Sequence, residues 1–385
     1  MTRPHRLPPR SGDRMDATTF LTAVPALFGF VPTESLVLVV VGEGSVVRSV
    51  MRYDLSLTET GMPDTDLLGV LKMLGRIIAR GWQPDSTDAV VGVIADSRYR
   101  PDDITYRRIF AIADRWCGGC GGLAQGFVVT AFEANAPWQL IWQPEALGPT
   151  TATMVDGSVG VLRDPHTCPT AIAAAVATGR RVLDDRAEMA RMLEPLPHCA
   201  DPDCAVERGG VAPGADLDRV GADSVASSDG SVIDQAEAAA LLSELLCAMQ
   251  SPLSDLDCAL TCRLERAILT VPVRDAVLAC AVTDLRDGAH RLWQSLTRRL
   301  RGPGRACAAT LLAHLHYIGG EGAYAGVALD CALGEAPDTN LAKLLDRALR
   351  EGAQPALLWE LIADSYRIAA DLGVDLPHAT LREVG

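Results

Sequence analysis

Five charged residues fall where predicted strands begin or end, and their types suit the binding of a polar ligand. They are Glu34, Arg52, Asp54, Asp96 and Arg98. Ligands of α/β proteins usually bind at the carboxyl ends of strands. We therefore predict a polar ligand site there, with Arg100 as a further candidate. Two alternatives stay open: a solvent-exposed loop after Ala95, and a simple ion pair between Arg52 and Asp54 on a strand face.

Four cysteines have the spacing of metal ligands in two pairs. The pairs are Cys117 with Cys120 and Cys199 with Cys204, and His198 lies beside the second pair. Two such pairs can close a tetrahedral zinc site. The second pair is spaced as Cys-x4-Cys in a Pro- and Asp-rich segment, so ordinary turn cysteines are the alternative. No cofactor is predicted, and zinc is the one that the sequence leaves open.

The sequence Cys117-Gly-Gly-Cys120 also has the spacing of a thioredoxin-type redox motif. That motif works because its first thiol lies at a helix N-terminus, where the helix dipole lowers the thiol pKa. Here the predicted helix precedes the cysteines, so we do not predict redox chemistry. The chain also has no GxxxxGK[ST], GxSxG, HExxH or EF-hand pattern, and no catalytic residue is predicted.

The charge of the chain argues against a nucleic-acid partner. Its formal net charge is −14 and its pI is about 4.9, whereas phosphate binding needs clustered Lys and Arg. The largest basic run is Arg298, Arg299, Arg301 and Arg305. We interpret this run as the last turn of a helix, where cations interact favourably with the helix dipole.

The distribution of apolar residues predicts no membrane span. The longest apolar run, Leu36–Val41, has the length of a strand, whereas a span needs about 20 apolar residues. The basic start of the chain is not followed by the apolar region of a secretory signal. Eleven scattered cysteines in an acidic chain do not resemble a secreted disulfide framework. We expect reduced thiols and a cytoplasmic location.

Residues 16–197 alternate between strand-like and helical patterns, after a lead at 1–15 that we expect to be disordered. The strand-like segments include Ser35–Val41, Ser45–Leu55 and Ala89–Ala95, and the helices include Asp66–Arg80 and one opened by Pro101. Strands that alternate with helices predict an α/β domain with three layers. Because Ser35–Val41 and Ser45–Leu55 form a predicted hairpin, we expect the sheet to be mixed.

Two further segments follow. Residues 198–231 are rich in Gly, Ala, Asp, Ser and Pro without a periodic apolar face, and we predict a flexible linker. Residues 232–385 contain about eight amphipathic helices separated by Pro and Gly breaks, which predict an all-helical bundle or a tetratricopeptide-like solenoid. The small residues Ala325 and Ala332 and the helix-ending Pro337 match part of a tetratricopeptide unit. Ordinary antiparallel helix packing requires the same small residues.

Several stretches resemble one protein family. They are Leu21–Leu38 (LTAVPALFGFVPTESLVL), Arg52-Tyr53-Asp54-Leu55, Cys168–Pro195 and Gly320–Gly352. The chain resembles the actinobacterial domain of unknown function 4192 family, and the first and last stretches are the more specific. In one departure, Trp138 and Trp142 are followed by Gln143-Pro144-Glu145, without the Cys-Cys-Pro segment that members often carry. The resemblance implies no reaction.

Together these observations favour a non-enzymatic interaction protein of the cytoplasm. We expect a protein partner that binds the helical domain, no nucleic acid and no membrane, and the oligomeric state stays open. The alternative is an enzyme or small-ligand binder that uses the polar strand-end site of the α/β domain.

Overall fold

The β-branched run that begins at Ser35 forms an interior strand of a mixed sheet. The computed structural model describes residues 5–6, 15–42, 46–81, 88–144, 155–196 and 234–380. Within it, all eight residues of the strand Ser35–Gly42 are buried. A strand covered on both faces needs this continuous apolar pattern, because neither face meets water.

The chain divides into two compact units, Thr2–Glu188 and Met189–Gly385, which are described separately. The strands of the first unit are β1 (His5–Arg6), β2 (Met15–Asp16), β3 (Ser35–Gly42), β4 (Val46–Asp54), β5 (Ala89–Ala95), β6 (Leu123–Val129), β7 (Pro137–Trp142), β8 (Val155–Asp156) and β9 (Val159–Val161). Seven of them form one sheet in the order β1-β4-β3-β5-β6-β7-β9, and β2 pairs with β8. The sheet is mixed, as predicted, because β5 and β6 are parallel while the other neighbours are antiparallel.

The strand register brings the ends of several strands together on one side of this sheet. Ser35, the first residue of β3, lies opposite Asp54 on one side and Ala95 on the other. Ala95 in turn lies opposite Val129 of β6. The start of β3 and the carboxyl ends of β4, β5 and β6 therefore lie side by side. This row of strand ends is called the sheet end below.

Helices cover both faces of the sheet and complete the predicted three layers. They are α1 (Ala17–Phe28) on one face and α2 (Thr65–Gly81) and α3 (Ile104–Trp116) on the other. Helix α4 (Pro169–Thr178) packs against α1, and α5 (Arg186–Arg191) crosses the division between the units. On one face Phe20 and Val24 of α1 pack with Val37 and Val39. On the other face the side chains of α2 and α3 pack with Leu36 and Leu38. The α/β prediction is confirmed.

Capping residues explain where three helices begin and end. Asp16 accepts a hydrogen bond from the Thr19 amide at 2.9 Å and starts α1, which ends at Gly29 in the left-handed region (φ 81°). Helix α3 begins at Ile104 instead of Pro101, because Asp103 caps it by accepting from Thr105 N at 2.8 Å. Helix α2 includes Gly81, which the sequence placed just beyond the helix end.

The strand β9 lies at one edge of the sheet. It has three residues and pairs with β7, and Val159 and Val161 are 71% and 53% exposed. The ring of Trp138 lies against Gly160, where a Cβ atom would be only 2.7 Å from the ring. This position therefore requires glycine.

The second unit is helical, as predicted. Its eight described helices are α6 (Gln235–Gln250), α7 (Cys258–Leu269), α8 (Val271–Val277), α9 (Arg286–Arg299), α10 (Gly302–Ile318), α11 (Gly322–Glu335), α12 (Asn340–Arg350) and α13 (Trp359–Asp371). Helix α10 is central, since nearly all of its residues from Ala306 onward are buried. Ala325 and Ala332 of α11 are fully buried, which lets α10 and α11 pack closely along each other. No described helix has the length and apolar character needed to cross a membrane.

The basic run at the end of α9 binds backbone carbonyl groups. Arg301 donates to the carbonyls of Arg299 and Leu300 at 3.1 and 3.0 Å, which are unpaired acceptors at a helix C-terminus. Arg301 also donates to Leu196 O at 2.9 Å, and Arg305 donates to Leu193 O at 3.0 Å. Residues 193–196 are thus tied to the helical unit. The predicted linker 198–231 and lead 1–15 lie mostly outside the described residues, so the predicted domain limits stay predictions.

Candidate functional site

The first polar group at the sheet end is centred on Asp96. Its carboxylate is fully buried directly after β5 and accepts from Arg98 Nε at 2.9 and 3.1 Å. The Arg98 amide donates to the same carboxylate at 3.2 Å, and Arg98 Nη2 donates to Leu55 O at 2.8 Å. Arg98 Nη1 lies 3.6 Å from Glu34 Oε2, on a side chain that is 66% exposed. Asp96 therefore fixes the guanidinium of Arg98, whose side chain is still 35% exposed.

The surroundings of Asp96 stabilise the cation of Arg98. Burial lowers the pKa of Arg98, but the hydrogen bond and the negative charge of Asp96 outweigh burial, so this pKa lies above its ordinary value. The hydroxyl of Tyr106 donates to the Asp96 carbonyl at 3.3 Å. Burial, together with the charge of Asp96, raises the pKa of Tyr106. Both side chains hold their protons throughout the physiological range.

The second polar group is centred on Arg52 of β4. Arg52 Nη2 donates to Asp54 Oδ1 at 2.6 Å, and Arg52 Nε donates to Ser35 Oγ at 2.8 Å. The guanidinium carbon lies 5.6 Å from the centre of the Phe30 ring, within the range of a cation–π contact. Burial lowers the pKa of Arg52, Asp54 opposes this effect, and the charge of Arg186 adds to it.

The two groups lie on opposite faces of the sheet. Arg52 is directly opposite Val37, whose side chain packs on the α1 face, and opposed residues share a face. Asp96 contacts Tyr106, which belongs to the α2/α3 face. The structure thus brings Glu34, Asp96 and Arg98 together and places Arg52 with Asp54 in a separate group. The predicted ion pair between Arg52 and Asp54 is present.

Glu34, which lies next to Arg98, has an unusual backbone conformation. Glu34 has a positive φ of 43°, a left-handed conformation that is uncommon for a residue other than Gly. Its carbonyl accepts from Leu55 N at 2.6 Å, so the strained residue is held between β3 and β4. Arg100 points away, is 87% exposed and pairs with Asp102 at 3.3 Å.

The structure leaves the predicted zinc site as a prediction. Cys117 is buried in the core beneath α3, and a 3-10 helix, Cys117–Cys120, follows α3. The side chain of Cys120 and the residues His198, Cys199 and Cys204 lie outside the described part of the chain. Within the described part, no group of three or more His, Cys, Asp or Glu side chains is arranged to hold a metal ion.

Three polar groups of the helical unit are buried, and the burial of Glu265 had no signal in the sequence. Glu265 of α7 is 6% exposed, and burial raises its pKa from 4.5 to about 7. Its carboxylate lies against Gly304, where a Cβ atom would overlap it. His314 of α10 has no hydrogen-bond partner for Nε2 among the described residues, and burial lowers its pKa from 6.5 to about 4. Cys307 donates to Ile268 O at 3.0 Å.

A small cavity lies next to Cys307. Its volume of about 10 Å³ is room for about one water molecule. Arg274, Cys307, Thr310 and Thr339 are among its lining residues. The cavity is too small for an organic ligand, and it belongs to the packing of the helical unit.

Comparison with known proteins gives one match. A sequence profile described as "Domain of unknown function (DUF4192)" matches residues 18–356. The chain belongs to this family. No curated protein and no solved structure matches the chain. The resemblance inferred from the sequence is therefore confirmed for the DUF4192 family.

Three of the four stretches that resemble the DUF4192 family meet around the sheet end. The Leu21–Leu38 stretch supplies Phe30, Glu34 and Ser35, and the second stretch supplies Arg52 and Asp54. The third stretch reaches the same place, because Leu183 exchanges backbone hydrogen bonds with Gly29 and Val31 at 2.8 and 2.9 Å. Segments that are distant in the chain thus build one polar region.

Proposed function

We propose that this DUF4192 protein is a non-enzymatic binding protein that holds a small anion at the sheet end. The observation that carries the proposal is the arrangement of Arg98. Its guanidinium is fixed by a fully buried carboxylate, its side chain is still 35% exposed, and its Nη1 lies 3.6 Å from the carboxylate of the exposed Glu34. A preorganised guanidinium binds carboxylate or phosphate oxygens with little loss of side-chain entropy.

Arg52 supports the same proposal on the opposite face of the sheet. Two of its donors are used by Ser35 and Asp54, and Nη1 makes no hydrogen bond with a described residue. Its lowered pKa reflects a cation whose burial is incompletely compensated. An anion bound there would supply the missing compensation.

The chemistry of the group favours binding over catalysis. Asp96 is held by Arg98, and Asp54 is held by Arg52. The hydroxyl of Ser35 donates to the Thr33 carbonyl at 2.6 Å and accepts from Arg52. A nucleophilic serine must instead give its proton to a general base. A cytoplasmic location accompanies the proposal, and the reduced thiols of Cys168, Cys280 and Cys307 support it.

Calorimetry and thermal unfolding with inorganic phosphate and citrate test the anion site. We expect each anion at millimolar concentration to raise the melting temperature of the full chain, because a ligand that binds only the folded state stabilises it. Arg98→Gln should clearly reduce the rise, because it removes the fixed guanidinium on one face of the sheet. Arg100→Gln, which removes an exposed arginine two residues away, should retain it. Equal responses of the two variants, or no response of the unmodified protein, would refute the proposal.

A protein-partner surface on the helical unit, which the sequence favoured, is the second candidate. Its support is that Leu344 of α12 and Leu357 are 62% and 52% exposed. We expect a partner recovered with the full chain to be lost from a Leu344→Ser/Leu357→Ser variant and kept by the Arg98→Gln variant. The reverse pattern would place the partner at the sheet end.

A further inference from the structure

Helices α2 and α3 form one layer of the α/β unit and run parallel, because each connects strands that point the same way. Their solvent-facing sides carry five exposed cations. These are Lys72, Arg76, Arg107, Arg108 and Arg115, which are called the basic face below. Residues 72 and 76 are four apart on α2, and residues 107, 108 and 115 fall on the same face of α3. The five cations therefore lie on one side of each helix. A concentration of positive charge thus lies on a chain of net charge −14.

The cations of the basic face make no ion pair with any residue that the structure describes. The neighbouring carboxylates are already engaged: Asp102 pairs with Arg100, Asp103 caps α3, and Asp114 accepts from Leu123 N at 2.7 Å. On α2, the exposed carboxylate is Asp66 in the first turn. Asp103 interacts electrostatically with Arg108, but none of these carboxylates forms an ion pair with the basic face.

Apolar side chains are exposed among these cations. Met62, Leu68, Ile104 and Trp116 are between 38% and 56% exposed. Arg108 Nη1 lies 4.0 Å from Met62 Sδ, and Ile104 is one helical turn from Arg108. Lys72 Nζ lies 5.8 Å from the centre of the Trp116 ring. Exposed apolar groups within a charged rim are typical of a protein-interaction surface.

We infer that the basic face binds an acidic segment of a protein partner that also carries apolar side chains. Charge complementarity favours a negatively charged partner, because five cations attract carboxylates and steer their approach. The exposed Leu68 and Ile104 select apolar content, which a phosphate backbone does not offer. Lys72 Nζ lies over the Trp116 ring, so a nucleotide base would have to displace this cation in order to stack there.

Fluorescence anisotropy on the full chain tests this inference. The probe is a labelled synthetic peptide of Glu and Asp with Leu at helical spacing, compared with labelled oligothymidylate and with vesicles of phosphatidylcholine and phosphatidylserine. We expect the peptide to bind most tightly and its affinity to fall as salt rises. Arg76→Glu/Arg107→Glu/Arg108→Glu should weaken it by about tenfold or more, because several pairs are lost and repulsion replaces them.

The matched control changes the same number of charges elsewhere. Lys343→Glu/Arg347→Glu/Arg367→Glu alters exposed residues of the helical unit and should leave peptide affinity within about twofold, since salt screens charges that do not belong to the binding surface. Leu68→Ser/Ile104→Ser should weaken the peptide while keeping its salt dependence, and circular dichroism confirms folding of each variant. Equal loss in the control, no peptide binding, or tighter binding of oligothymidylate or vesicles would overturn the inference.

Discussion

Replacing Glu265 by Gln should stabilise the protein increasingly as pH rises. Glu265 is buried against Gly304 and has no ion pair or hydrogen bond with a described residue. Burial raises its pKa from 4.5 to about 7, since removal from water disfavours the charged form. The folded chain therefore keeps a proton that the unfolded chain releases. Gln has nearly the same shape and never ionises.

The sign and size of the effect follow from these two pKa values. Between pH 4.5 and about 7 the folded state binds more protons, so the free energy of unfolding falls as pH rises. At about 1.4 kcal/mol per pH unit, the step from 4.5 to about 7 costs at most about 3.5 kcal/mol. From pH 5 to pH 8 the Glu265→Gln variant should gain about 2.5 kcal/mol over the unmodified protein, or about 5–10 °C in melting temperature.

His314 makes the comparison between variants necessary. Burial lowers its pKa from 6.5 to about 4, so its contribution to stability is lost as pH falls through that interval. Over much of the range from 4.5 to 6.5 the effects of His314 and Glu265 therefore oppose each other. The pH profile of the unmodified protein hides both, whereas the difference between it and the Glu265→Gln variant isolates one.

Urea unfolding followed by circular dichroism at a series of pH values measures this difference. Glu360→Gln is the matched control, because Glu360 lies in an exposed first turn of α13 and its change should leave the curves parallel. A stability difference between the Glu265→Gln variant and the unmodified protein that stays constant from pH 5 to pH 8 would refute a buried, protonated Glu265.

Three further predictions concern other buried groups. Asp96→Asn should lower the free energy of unfolding by about 2–3 kcal/mol in urea titrations. This loss is smaller than for a fully buried ion pair, because the side chain of Arg98 still reaches solvent. The control Asp102→Asn should change the free energy of unfolding by under about 0.5 kcal/mol, and equal effects of the two variants would contradict the role of burial. Gly75→Val should cost about 1–3 kcal/mol in thermal unfolding, because its side chain would overlap the carbonyl that ends α3, and an unchanged melting temperature would contradict that close contact. Burial raises the pKa of Cys307 to about 12, so Ellman's reagent should label it only after unfolding, whereas the exposed Cys247 should react at once; comparable rates in the folded protein would show that Cys307 is accessible.

Much of the fold could be predicted because local patterns and burial agree. The run Ser35–Val41 has no polar residue after its first position, and a strand between two helical layers requires this composition. Helix limits were less predictable, because capping decides them. Pro101 suggested the start of α3, but Asp103 supplies the side-chain acceptor that begins the helix.

Surfaces assembled from separate elements were harder to predict. Glu34 and Arg98 could be selected from their positions at strand ends, but their separation from Arg52 depends on which sheet face each side chain takes. The basic face escaped notice because its cations are spread from Lys72 to Arg115, and the parallel packing of two helices brings them together. The longest run of basic residues in the sequence contains Arg301 instead, and the guanidinium of Arg301 donates hydrogen bonds to backbone carbonyls.

The brevity of β9 limits how well this edge of the sheet can pair with a strand from another molecule. A sheet edge exposes unpaired backbone donors and acceptors that can recruit a strand from another molecule. β9 offers only three residues for such pairing, even though Val159 and Val161 would favour it. Lengthening this strand, or recruiting residues beyond Val161 into it, would create an edge prone to aggregation. We therefore expect selection to constrain the length of β9 more than its amino-acid composition.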